Sequence, residues 1–224
     1  FASDLNPVAV LLNKVVLEYI PKYGQRLERD VIKRGNWIRP EAMKRLDDIY
    51  PQDPDGATPI AYLWARRILC EGPGCGVEIP LLRSKWLAKR RPAGVGLRLK
   101  CIAGAKQISI DIVQNARGSE FDEGTIKRGS VTCPCCGYTT PNASVRSQLR
   151  ERSGGTLDSR LYCVVTTRKN ERGRFFRHPV EADFVALRKA LDIHNKQRSQ
   201  RLGHLSCIPD EPTPLGTGHR AVTS

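Results

Sequence analysis

The stretches "CEGPGCG" and "CPCCG" constrain the fold of this chain more than anything else in it. Each sets two cysteines a few residues apart, Cys70 with Cys75 and Cys133 with Cys136, and each closes on Cys-Gly, at Cys75-Gly76 and Cys136-Gly137. In a knuckle that offers two thiolates to one metal ion, backbone N–H groups point at sulfur. The chain turns sharply after the second ligand, where glycine tolerates the positive φ the turn needs. Two such loops supply four thiolates, the number tetrahedral zinc takes, and a closed set leaves no position for water. The pattern predicts a structural zinc site on Cys70, Cys75, Cys133 and Cys136, with no catalytic residue among them. Cys135 competes in the second loop, but two intervening residues close the chelate ring more comfortably than one.

The interval 76–132 is long for a zinc ribbon, and it contains strand-forming sequence. "VGLRLKCIAG" and "KQISIDIVQ" both alternate, Ile108, Ile110 and Ile112 share one face, and Gly104 supports a tight turn between them. An enlarged hairpin between the two knuckles accounts for the gap. No apolar run approaches the ~20 residues of a membrane span, and the first residues lack the basic-then-apolar layout of a signal peptide. A cytoplasmic setting without a membrane partner is the default expectation. Such a compartment keeps thiols reduced, so the 8 cysteines read as metal ligands or buried thiols rather than a disulfide framework. Cys101 and Cys163 lie in apolar strand patterns and read as small hydrophobes. Cys207 falls in a Pro- and Gly-rich tail, and His178, His194, His204 and His219 are scattered among polar residues with no cluster spacing.

Around this centre the chain mixes helix and strand. Pro7 suits a first helical position, and Val8, Leu11, Leu12, Val15 and Val16 recur at helical spacing. "PKYGQRLERDVIKRGNW" reads as a turn followed by a charged amphipathic stretch, and a short helix is predicted to start near Pro40. "IAYLWARRILC" is a strand that delivers Cys70. "TTPNASVRSQLRERSGG" is a basic helix capped by Asn142 or Ser144, and "RLYCVVTT" is an interior strand. "TTRKNERGRFFRHP", with Arg168, Lys169, Arg172, Arg174 and Arg177, reads as a mobile loop before a long helix on Val180, Phe184, Leu187 and Leu191. The expected divisions are 1–59, a zinc-ribbon-like β module at 60–140, and 141–224, in an α+β whole.

Lys and Arg total 37 against 23 Asp and Glu, a formal charge of +14, so the surface carries a field that draws anions. Nucleic acid is the leading partner class. The densest basic run, "RSKWLAKRRP", sets Arg83, Lys85, Lys89, Arg90 and Arg91 around Trp86. Such a run can neutralise phosphates while the aromatic stacks on a base. Equally, Trp86 can be core and its neighbours a solvated face. Arg146, Arg150 and Arg152 extend the same positive character beyond the second knuckle.

In the opening "FASDLNPVAV", Phe1 and Ala2 read as the end of a buried strand, Asp4 as an acid at its carboxyl end, and Asn6-Pro7 as a helix start. An acid so placed in an open α/β sheet accepts hydrogen bonds from the ribose of a nucleotide-like cofactor. The same residues can simply cap a helix. "FASDLNPVAVLLNK", "AYLWARRILC", "GCGVEIPLLRSKWLAK", "VTCPCCGY", "RLYCVVTT" and "IPDEP", in that order, resemble the adenine-specific DNA methylases that carry a zinc-ribbon insertion, a prokaryotic family. The resemblance implies part of an α/β S-adenosylmethionine-dependent methyltransferase sheet with an inserted zinc module. It implies that Asp4 binds the ribose of S-adenosylmethionine, that Leu5 lies against its adenine, and that the remainder of the parent methyltransferase is a partner. The glycine-rich loop and the Asp-Pro-Pro-Tyr type motif of that family do not occur in these residues, so the chain reads as an internal piece, inactive alone. DNA is the implied substrate, and neither the basic run nor the acid separates DNA from RNA. The alternative is a non-enzymatic zinc-ribbon module that binds nucleic acid or protein.

Overall fold

A computed structural model describes residues 6–47, 49–50, 52–89, 93–102, 104–152, 158–203, 205–206 and 208. The chain is α+β, its sheets are antiparallel, and it divides into two compact units at Tyr50/Pro51. No helix among the described residues is long and apolar enough to cross a membrane.

The first unit is helical. Asn6 caps α1 (Pro7–Lys14) by accepting from the Val8 N–H at 2.9 Å, and Pro7 stands at the first turn as the sequence suggests. A π-helical turn at Val15–Tyr19 leads into α2 (Ile20–Asp47). The expected turn at "PKYG" is a kink at Gly24 (φ +48°, ψ −132°), and helix then runs through Pro40 instead of beginning there. Proline's fixed φ is compatible with helix at the loss of one backbone hydrogen bond. None of the described residues of this unit is buried, and Leu11, Leu12, Val16, Leu17, Val31 and Trp37 all face solvent.

The second unit holds the core. β1 (Thr58–Leu69) pairs with β2 (Glu78–Pro80) on one side. On its other side it pairs with β9 (Ser159–Arg168), which in turn pairs with β10 (Glu171–Arg177). The four strands thus lie in the order β10-β9-β1-β2. Cys163, Val164, Val165 and Thr166 are consecutively buried, as an apolar interior strand requires. The segment expected to be a mobile loop is instead the β9–β10 hairpin: its backbone joins the sheet, and Arg168 lies over Phe175 while bonding Glu171. This sheet also joins strands from either side of the expected 140/141 division.

β3 (Trp86–Ala88), β4 (Gly94–Cys101) and β5 (Ile108–Ala116) form a second sheet. Leu97 faces Ile112 and Leu99 faces Ile110 across the expected hairpin, whose turn carries Gly104 at φ +76°. β6 (Ile126–Lys127), β7 (Ser130–Thr132) and β8 (Thr139–Thr140) form a third. Then come α3 (Asn142–Glu151), α4 (Glu181–Arg198) and a small β11–β12 pair (Arg201–Leu202, Leu205–Ser206). α3 begins at Asn142 with Pro141 before it, so neither Asn142 nor Ser144 is its cap.

Ile68, Val77, Ile79, Ile108, Val131 and Val145 form the main apolar cluster, and Cys70 and Cys133 belong to it. A second cluster unites Ala65, Leu82, Leu97 and Ile110. Between β5 and β6 the backbone crosses Leu82 so closely that a Cβ on Gly124 would stand 1.9 Å from the Leu82 carbonyl oxygen. The Thr125 N–H donates to that same carbonyl at 2.8 Å, so neither segment can retreat without losing the bond. Gly124→Ala should therefore destabilise the fold by about 1–3 kcal/mol, the usual effect of overpacking. A chemical-denaturation midpoint unchanged from wild type would contradict this.

Candidate metal centre

Each knuckle is placed by a strand that ends where its first cysteine begins. β1 delivers Cys70, whose N–H donates to the Val77 carbonyl at 2.9 Å, and the loop closes through Cys75 N–H to the Gly72 carbonyl at 3.0 Å. β7 delivers Cys133, whose N–H donates to the Tyr138 carbonyl at 2.8 Å, and Gly137 N–H returns to the Cys133 carbonyl at 2.9 Å. Gly76 (φ +58°) and Gly137 (φ +75°) adopt the left-handed conformation expected after each second cysteine. Gly72 N–H and Cys135 N–H point at the Cys70 and Cys133 sulfurs, each at 3.4 Å. A side chain at Gly72 would meet the Cys136 Sγ at 3.0 Å and the Tyr138 Cβ at 2.9 Å, so glycine is what lets the two loops close on each other.

The four sulfurs converge. Cys70 and Cys136 Sγ atoms are 3.5 Å apart, Cys75 and Cys133 are 3.9 Å apart, and all four lie within 4.8 Å of one another. Zn–S bonds of about 2.3 Å arranged tetrahedrally set sulfurs about 3.8 Å apart, so the cluster has the size of a four-thiolate shell. These residues can hold a metal ion such as zinc. Burial foremost pushes the Cys70 thiol up to about 12, and it also raises Cys133. The Tyr138 backbone N–H, with the neighbouring thiols, brings exposed Cys136 down to about 7. A divalent ion held by Cys70, Cys75, Cys133 and Cys136 would supply the positive charge that lets all four become thiolates in this partly apolar setting.

α3 braces the centre from outside. The Gln148 side chain accepts from Leu69 N–H at 2.8 Å and donates to the Leu69 carbonyl at 3.1 Å, holding the end of β1, and it also reaches Glu71. Arg152 donates to the Arg67 carbonyl at 3.3 Å.

The remaining cysteines divide. Cys163 is fully buried in β9, burial raises its thiol to about 11, and it behaves as the expected small hydrophobe. Cys101 does not. It ends β4 exposed and forms a disulfide with Cys135, their Cα atoms 5.6 Å apart, which corrects the reading of all cysteines as thiols or ligands. Cys101 is the last residue of β4, at the turn end of the β4–β5 hairpin, and the bond ties that end to the second knuckle. The bond also removes Cys135 from competition for the metal. Nothing in the local sequence marks this pair, because the contact depends on how the hairpin folds back. Cys207 lies outside the described residues.

Arg83 and Lys85 line a cavity of about 580 Å³ that reaches Thr132 and Pro134 beside the second knuckle. Trp86 opens β3. Its half-buried ring packs 5.0 Å from Phe121 at a 47° tilt, and its indole N–H donates to Asp122 at 2.8 Å. Lys89 bonds the same carboxylate at 2.6 Å and sits over the Trp86 ring. These bonds, first from Lys89 and then from Trp86, hold Asp122 below the ordinary carboxylate range. Arg90 and Arg91 lie outside the described residues, as do Asp4 and Leu5 and the strand expected at Phe1–Asp4.

Fold and site together define a class: an α+β chain in which two knuckles on antiparallel strands bring four cysteines close enough to hold a metal ion. No family model, curated protein or solved structure matches the chain.

Proposed function

We propose that this chain is a zinc-held nucleic-acid-docking module of an S-adenosylmethionine-dependent DNA amino-methyltransferase of the adenine-specific kind. The observation that carries the reading is the convergence of four cysteine sulfurs within 4.8 Å in a chain of formal charge +14. A closed thiolate shell has structural work only, so the zinc fixes the lobe and leaves recognition to the surface. Arg83 and Lys85, on the cavity that reaches the second knuckle and that Glu120, Asp122 and Glu123 also line, neutralise phosphates. On this reading the methyl donor and target amine are bound by the rest of the parent enzyme, with Asp4 and Leu5 toward S-adenosylmethionine.

The test is fluorescence anisotropy of the zinc-loaded chain on a labelled duplex DNA across a salt series. Arg83→Glu with Lys85→Glu should weaken binding at least about tenfold and flatten the salt slope by about 2. Wild-type protein that binds no duplex at about 50 mM salt would overturn the proposal. The exposed Leu11, Leu12, Val16 and Leu17 favour a second reading, a non-enzymatic module for a partner protein. A folded, zinc-loaded chain indifferent to nucleic acid is the result that selects it.

A further inference from the structure

A groove of about 540 Å³ runs between β1, β9 and α4, away from the Arg83 cavity. Trp64 of β1 and Phe184 of α4 line it, each more than a third exposed. Arg67, Ser159, Arg160, His178 and Arg188 make up its polar lining, and no carboxylate lines it. Arg67 and Arg188 are backed by Glu78 at 2.8 Å and Glu181 at 2.6 Å, which hold the guanidinium groups in place. Arg160 donates to the Ile108 carbonyl at 2.6 Å and makes no ion pair among the described residues, so its full positive charge remains for a ligand. Two aromatic faces and a fixed cation in a slot with no acid suit a flat ring joined to an anion.

We infer that this groove receives an unpaired nucleotide, its base against Trp64 and Phe184 and its phosphate at Arg160 and Arg188. The inference rests on the nucleic-acid reading above and adds that the chain takes a single-stranded segment at a site separate from the Arg83 surface. Base–aromatic stacking tolerates any sequence because every base has a π face, so the groove contributes affinity for unpaired strand without reading sequence. A duplex keeps its bases stacked internally and leaves the slot empty.

The experiment uses the zinc-loaded full chain with two labelled probes, a twelve-nucleotide oligo-dT and a blunt duplex of equal length. Wild type should bind oligo-dT with quenching of tryptophan emission. Trp64→Leu should remove most of the quench and weaken oligo-dT binding about tenfold, in line with loss of one stacked base, while duplex affinity stays within about twofold. Phe184→Ala and Arg160→Gln read the same groove should Trp64→Leu misfold, with zinc content and circular dichroism reporting the fold. Oligo-dT binding unaltered by the groove variants, with duplex binding intact, overturns the groove while sparing the docking function. Wild type that binds neither probe overturns both. Arg83→Glu with Lys85→Glu weakening the duplex, and the groove variants weakening only oligo-dT, supports both.

Discussion

Cys133→Ser is expected to release the metal and to unfold the unit that spans residues 51–224. Cys133 is 1% exposed, sits in the main apolar cluster, and makes both backbone bonds that close its knuckle. Structural zinc contributes about 10–16 kcal/mol in small zinc-dependent folds, against a typical net stability of about 5–15 kcal/mol for a whole domain. Losing one of four thiolates therefore removes a free energy comparable to everything that holds the lobe together. Elemental analysis should find about one zinc per wild-type chain and far less in the variant, with loss of cooperative thermal unfolding. Cys163→Ala, at a buried thiol outside the cluster, should retain the metal. Protons compete with the ion for sulfur, so metal retention falls as pH drops. A wild-type chain that is metal-free yet cooperatively folded would refute the centre.

The second large effect is expected at Asp183. Arg177 forks onto two carboxylates, reaching Asp183 at 2.6 and 2.9 Å and Asp53 at 2.7 and 2.6 Å. The Asp183 carboxylate is 3% exposed and also accepts from Val180 N–H at 2.8 Å, so one side chain both caps α4 and ties it to the sheet. Asp183→Asn should cost about 3 kcal/mol, the low end for breaking a buried pair, because Asp53 still partners the guanidinium. Burial works to raise the Asp183 carboxyl, but the bonds and charge of Arg177 and the Val180 N–H outweigh it and hold it below the ordinary range. A carboxyl depressed on folding adds stability that is present above about pH 4 and lost as pH falls through its folded value. Denaturation curves of wild type and variant should therefore converge on acidification. A gap that stays constant down to acid pH would count against the ion pair as its source.

The four-cysteine cluster was legible because its requirements are local. Two thiols at chelating distance, followed by a glycine free to turn left-handed, declare a knuckle whatever surrounds them, and Gly76 and Gly137 adopt that conformation. The β4–β5 alternation and the interior character of β9 were legible for the same reason: a two-residue period and an unbroken apolar run are properties of short windows. What escaped was set by distant pairings. The hairpin after Arg168 is rich in charge and glycine, and it becomes strand only because β9 offers an edge. The Cys101–Cys135 bond and the Arg177–Asp53 arm of the fork join residues far apart in sequence. Trp86 drew notice for its basic neighbours, whereas Trp64, in a strand that looks like plain core, lines the open groove.

The pairing of Thr58 with Thr167 makes the span between them a long excursion whose two ends are neighbours. The backbone arrives and departs at register partners on adjacent strands, about 4.8 Å apart. Both knuckles lie inside that span, so the four cysteines are enclosed by a pairing that closes at a single strand spacing.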